Sequence, residues 1–187
     1  MFVDKQKLEK QHMEELTKIC NLFDTLGIKH CVIGGYGLLA HGIRTSNLQN
    51  GIIIADSNEK EKMLEVLFKM NYTIYFLSDE LIRAKKTFPV GDVKIDVVLG
   101  KIEGKTFTFN YNEKQFVFST GIFSKETKEV YDSRKGKGVF RPLPLEEIYL
   151  LKMGGDEKDL LDLDIIKGSG KLDIDRLFKL FKKNKML

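Results

Sequence analysis

Cysteine is scarce and unclustered: the 187 residues include two, Cys20 and Cys31, neither in a CxxC pair nor beside a His-rich stretch. That excludes a disulfide framework and leaves both as expected small core hydrophobes. The three histidines, His12, His30 and His41, have no acidic or cysteine neighbours at ligand spacing, so a zinc site is not expected. His12 reads as a solvent-facing helix residue, His30 precedes a strand, and His41 falls in a loop. No GxSxG elbow occurs, and no Ser/His/Asp nucleophilic set can be argued. No run approaches the roughly 18 apolar residues needed to span a bilayer. The N-terminus carries Asp4, Lys5, Lys7, Glu9 and Lys10 in place of an apolar signal core. A cytoplasmic, reducing location with no membrane partner is the expectation. Neither charge dominates: 31 basic against 27 acidic residues give +4, a mild excess that favours phosphate contact without requiring it. A dedicated nucleic-acid binder is usually more lopsided. Repeats and low-complexity segments are absent as well.

What is present is a globular composition, 42% hydrophobic and 31% charged, far from the disordered corner. The length suits one domain, with an α/β core over 27–141 and a helical part over 142–187. Leu8, Leu16, Ile19, Cys20, Phe23 and Leu26 recur at helical spacing and predict an amphipathic helix over 4–26, closed by Gly27. Cys31–Ile33 is a short apolar run that ends in Gly34-Gly35, as a buried strand entering a sharp turn does. Tyr36 to His41 is compatible with a short helix. Ile52-Ile53-Ile54 predicts a strand buried on both faces. Ser57 or Asn58 can cap a helix carrying Met63, Leu67 and Met70, before a strand over 72–77. The 79–88 stretch is ambiguous. Val93 to Leu99 reads as a central strand with Asp96 inside it. Phe107, Phe109, Tyr111, Phe116 and Phe118 alternate as in edge strands, while 125–134 is polar. Helices are predicted over 145–153, 157–166 and 173–183. Lys179, Lys182, Lys183 and Lys185 read as a solvated helix end, with an RNA-backbone role as the minority reading.

The chemistry-bearing candidates begin with Gly34-Gly35-Tyr36-Gly37. Glycines after a buried strand let backbone amides approach an anion closely, although a tight turn alone also needs them. Gly34-Gly35, then Leu38-Leu39-Ala40-His41-Gly42, then Arg44-Thr45-Ser46, then the isoleucine strand resemble the opening motif of the nucleotidyltransferase superfamily. The likeness is to minimal and abortive-infection toxin nucleotidyltransferases. It implies a mixed sheet flanked by helices, an α/β (α+β) fold with C-terminal helices, and an NTP as substrate or ligand. Mg²⁺ or Mn²⁺ would be held by two acids one residue apart and a third on a neighbouring strand. Lys94-Ile95-Asp96-Val97-Val98 resembles that later strand, with Asp96 as the third carboxylate. A charge inside an apolar run needs a cation or a partner; a structural partner such as Arg44 is the competing reading.

The acid pair itself is absent: the family positions fall on Gln49 and Gly51, or on Asn47 and Gln49, depending on register. Amide oxygens carry no charge, so attraction for a divalent ion is weakened. Further on, Pro142-Leu143-Pro144-Leu145-Glu146-Glu147-Ile148 with Leu150-Leu151-Lys152 is similar to the family's proline-glutamate helix start, which implies Lys152 as a phosphate contact. Lys158-Asp159-Leu160-Leu161-Asp162 is similar to its lysine-aspartate signature. Asp159 and Asp162 share a helix face, and a solvated face is the bland reading.

The resemblance thus implies a phosphate-binding set of Gly34, Gly35, Tyr36, Arg44, Thr45 and Lys158. It implies a catalytic set of Asp96, Lys152 and Asp159, with Asp96 as metal ligand. Two functions stay open. One is an enzyme moving a nucleoside monophosphate from an NTP to a hydroxyl on a small molecule, protein or RNA. The other is a catalytically silent module that binds a nucleotide or a protein, including a toxin or antitoxin partner.

Overall fold

A computed structural model describes residues 4–43, 50–153, 155 and 157–186. The predicted first helix is α1 (Lys5–Thr25), started by the Asp4 carboxylate accepting from Lys7 N and ended at Gly27, whose φ of 69° suits glycine. Its buried face carries Met13, Leu16, Ile19, Cys20 and Phe23. His12 corrects the solvent-facing expectation: it lies inside on the same face, its Nε2 3.2 Å from the Asp92 carbonyl oxygen. Next come β1 (His30–Ile33), α2 (Gly34–Ala40) and β2 (Gly51–Asp56). The chain then makes a 3-10 turn over Ser57–Glu59 before α3 (Lys60–Lys69). Neither Ser57 nor Asn58 caps that helix. Asp56 starts the turn by accepting from Asn58 N at 3.1 Å, because a carboxylate at a strand end is placed to reach an amide two residues on.

The strands β3 (Thr73–Ser78), β4 (Leu81–Phe88) and β5 (Gly91–Glu103) follow. They are succeeded by the hairpin β6 (Thr106–Tyr111) and β7 (Lys114–Ser119) and the hairpin β8 (Lys128–Asp132) and β9 (Gly136–Phe140). The helices α4 (Leu145–Lys152), α5 (Glu157–Gly168) and α6 (Ile174–Lys183) close the chain. The ambiguous stretch is β4. There Ile82 and Ala84 are buried while Arg83, Lys85 and Lys86 are half-exposed, and those charges mask the period of two.

The main sheet has the order β1-β2-β5-β4-β3, with β6 and β7 added to the far end of β5. Among the described residues, β2 and β5 are the one parallel strand pair; the other pairs of this sheet are antiparallel. Gly100 is where β5 passes from one set of neighbours to the other. A Cβ there would lie 2.5 Å from Phe107 Cζ and 2.7 Å from Phe109 Cβ, so only glycine lets the hairpin close. On one face Val32, Ile53, Ile95, Val97 and Ile82 pack against α1 and α3. On the other, Cys31, Ile33, Ile54 and Val98 pack with the four buried phenylalanines of β6–β7 and with α4, α5 and α6. The phenylalanine alternation read as edge strands therefore contributes four buried rings to the second core.

The segment before α4 is tied to β1: Val32 N donates to Arg141 O at 2.8 Å, and Leu143 N donates to Val32 O at 2.9 Å. These bonds bring the start of α4 beside the Gly34 turn. No helix among the described residues is long and apolar enough to cross a membrane.

Burial holds His12, His30 and His41 below the ordinary imidazole pKa. As pH falls through about 6.5 the unfolded chain takes up protons that the folded chain refuses. Stability is complete above that pH and is lost toward lower values, by at most about 1.4 kcal/mol per pH unit for each histidine. Urea midpoints measured at pH 7.5, 6.5 and 5.5 should fall in that order. A flat series would show the three imidazoles to be accessible.

Candidate functional site

Four strands contribute to one row of side chains. Ile33 pairs with Ile52, Ile52 with Asp96, and Asp96 with Arg83. Residues directly opposite one another point to the same face, so all four share the face that carries α4. Gly34 follows Ile33 with φ 65°, a backbone that an L side chain adopts only under strain. A Cβ on it would touch Ile52 Cδ1 at 3.4 Å. The diglycine turn and Asp96 therefore open on the same side of the sheet, with Ile52 between them. Two strand steps put them about 10 Å apart.

Asp96 is 8% exposed, and its charge is already answered. Arg83 Nε donates to Oδ1 at 2.7 Å and Nη2 donates to Oδ2 at 2.9 Å, a fork on a carboxylate. Asn50 Nδ2 donates to Oδ2 at 3.4 Å. The pair borders a cleft of about 350 Å³ whose wall includes Ile52, Leu81, Val98 and Tyr111, with Glu80 and Glu113 adding carboxylates. Asn110 donates to Glu80 at 2.7 Å. Among the described residues neither glutamate forms an ion pair.

The Gly34 turn faces a narrower space, about 10 Å³, between Ile33, Tyr111, Ile148, Lys152 and Asp159. That is room for about one water. Tyr111 borders both spaces. Lys152, which the resemblance implies as a phosphate contact, is 7% exposed. Its Nζ lies 2.6 Å from Asp159 Oδ1 and 2.6 Å from Asp162 Oδ2. The i, i+3 spacing on α5 puts both carboxylates on the lysine, so the pair forms a latch between α4 and α5 and the bland alternative of a solvated face does not hold.

Gly34, Lys152 and Asp159 are thus brought together, with Asp96 next door across Tyr111. Gly35 lies half-buried in the first turn of α2, and Lys158 lies half-buried in the first turn of α5. The Tyr36 ring is fully buried in the α1 side of the core, so only its backbone could meet a ligand. Arg44, Thr45, Asn47 and Gln49 lie outside the described residues. Arg83, Asn50 and Tyr111 were not singled out in the sequence as site residues. Arg83 shares its face of β4 with Leu81, Lys85 and Thr87, so nothing in the strand's own pattern sets it apart.

Divalent metals implied by the resemblance do not fit these residues. Both Asp96 oxygens are bound by Arg83, the sequence from 44 to 51 contains no acid, and no trio of potential ligands gathers among the described residues.

No protein-family model matches the chain, and no curated protein does either. Solved structures do. The lincosamide antibiotic adenylyltransferase LnuA, lincomycin-bound, superposes with a TM-score of 0.58 over 82% of this chain and 95% of that one, at 19% identity. The antibiotic-resistance factor ANT(2'')-Ia in solution gives 0.60 over 95% and 93% at 9% identity. ANT(2'')-Ia in complex with adenylyl-2''-tobramycin gives 0.61 over 94% and 98% at 12% identity.

The chain has the nucleotidyltransferase fold.

At these identities the likeness establishes the architecture and leaves the chemistry to the residues. The nucleotidyltransferase fold here keeps the diglycine turn and the carboxylate of the later strand on one face. A guanidinium stands against that carboxylate.

Proposed function

We propose that this nucleotidyltransferase-fold protein moves a nucleoside monophosphate from an NTP to a hydroxyl of a small acceptor. The observation that carries the reading is the shared face of Gly34 and Asp96, one bare backbone turn and one acid-lined cleft about 10 Å apart. The glycine turn suits phosphate oxygens. The Asp96 cleft, with Glu80 and Glu113, suits a hydroxylated or cationic acceptor. In the transfer, the acceptor oxygen bonds to the α-phosphorus, the bond to the β-phosphate oxygen breaks, pyrophosphate leaves and the hydroxyl proton goes to solvent. The neighbours support the reading, since one is an adenylyltransferase bound to lincomycin and one holds an adenylylated tobramycin. No metal-assisted step is assigned to Asp96.

A second reading, nucleotide binding without transfer, is favoured by the Arg83 clasp on Asp96 together with the missing acid pair. The two part in one experiment. The protein is titrated with ATP, GTP, CTP and UTP, with and without Mg²⁺ or Mn²⁺, while pyrophosphate release is followed against lincosamide and aminoglycoside acceptors. Acceptor-dependent release supports transfer. Saturable binding without release supports the silent site. Absence of binding for all four nucleotides sinks both.

A further inference from the structure

The end of α2 away from Gly34 borders a second cavity, about 470 Å³, which shares no residue with the Asp96 cleft or the Gly34 crevice. Its wall takes Lys125 from the segment before β8, Lys128 from the first position of β8, Lys171 from the loop before α6, and His41 from the end of α2. His41 Nε2 lies 2.8 Å from the Leu143 carbonyl oxygen. A carbonyl only accepts, so this nitrogen bears the hydrogen and Nδ1 offers a lone pair. Lys128 Nζ approaches that lone pair at 3.3 Å, and Lys171 Nζ donates to the His41 carbonyl oxygen at 2.7 Å. One histidine, held neutral by its burial, thus tethers two ammonium groups.

Among the described residues none of the three lysines forms an ion pair with a carboxylate. Two glutamates also border the cavity. Glu146 is committed elsewhere, accepting from Asp173 N at 3.0 Å with Arg176 Nε 3.7 Å away. Glu126 is exposed on the rim, as are the three lysines, so the lysine charges outnumber it. Gathering like charges in a concavity costs Coulomb energy, and an anion between them reverses its sign.

We propose that this cavity binds a phosphate-bearing small molecule, its phosphate seated between Lys128 and Lys171. Phosphate fits better than carboxylate for two reasons. A dianion balances two ammonium groups, and lysine serves phosphate as a point charge whereas carboxylate prefers the arginine fork. The arginine here, Arg176, already binds Glu147. The volume is in the range of small-molecule pockets, about 300–1,000 Å³, which leaves space beyond the phosphate for an organic body.

The test is an amide and imidazole NMR titration of the intact ¹⁵N-labelled protein with inorganic phosphate and with ribose 5-phosphate, ribose serving as the uncharged control. Saturable shifts are expected at His41, Thr127, Lys128 and Lys171, tighter for ribose 5-phosphate and silent for ribose. K128A/K171A should weaken binding at least 10-fold, and K128Q/K171Q should do the same with the stems retained. K167A/K179A removes equal charge from exposed sites on α5 and α6 and should change affinity less than 2-fold. Shifts centred on Gly34, or equal losses in the two double variants, would overturn the assignment. Because the cavity is separate from the Asp96 cleft, neither result bears on nucleotidyl transfer.

Discussion

Arg83→Ala is expected to lower folding stability by about 2–3 kcal/mol, more than its place near the sheet surface suggests. Asp96 is nearly buried, and both its oxygens accept from this one guanidinium. With Arg83 gone, Asn50 at 3.4 Å is the remaining donor to it among the described residues. Removing one partner of a buried pair costs about 3–5 kcal/mol, because the survivor is left desolvated. The lower figure applies here because the Arg83 side chain is 34% exposed, and water partly fills its place. Asp96→Asn should cost only about 1 kcal/mol, since a neutral amide loses less on burial and the freed guanidinium can turn to solvent. Urea denaturation of both single variants and of R83A/D96N closes a double-mutant cycle. A double variant as stable as D96N alone gives the coupling expected of a clasp. Additive losses would show that the two residues act independently, and that Asp96 is free to serve a ligand.

The clasp also shows where the sequence was legible. Apolar runs and spacings placed α1, β1, β2, β5 and the three final helices, because each concentrates its apolar residues in one short stretch. The diglycine turn and the embedded aspartate stood out for a related reason: each breaks a local rule, glycine where the chain passes from strand to helix and charge where a run is apolar. What stayed hidden was pairing. Arg83 lies 13 positions from Asp96 in sequence, and nothing in a linear pattern says that β4 and β5 meet in that register. The fate of Lys152 was hidden likewise, since its phosphate role and its latch role need the same residue type at the same place. The lysines of the second cavity come from the segment leading into β8, from its first residue and from the loop before α6, and only the folded chain sets them around His41.

Lys152→Ala should produce the largest loss of stability, about 3–4 kcal/mol, and its companions can say why. The ammonium sits between Asp159 and Asp162, and Asp162 is 3% exposed. Removing it strands a buried carboxylate at the α4–α5 contact. Lys152→Met keeps the apolar stem, so a loss nearly as large as that of the alanine variant assigns the effect to charge and a small one assigns it to packing. Adding Asp162→Asn to Lys152→Met should recover about 1–2 kcal/mol, because a neutral pair no longer carries the desolvation cost. The latch has a functional consequence. The crevice under Gly34 has room for about one water while Asp159 and Lys152 are joined, so a phosphate arriving at the turn must draw the lysine away from Asp159. Asp159→Asn leaves Asp162 to hold the ammonium and removes that competitor. It should therefore bind NTP several-fold more tightly than the parent while Lys152→Met binds less tightly, both read by calorimetric titration with ATP. If Asp159→Asn leaves affinity unchanged, Lys152 belongs to the latch alone and the phosphates are met by backbone.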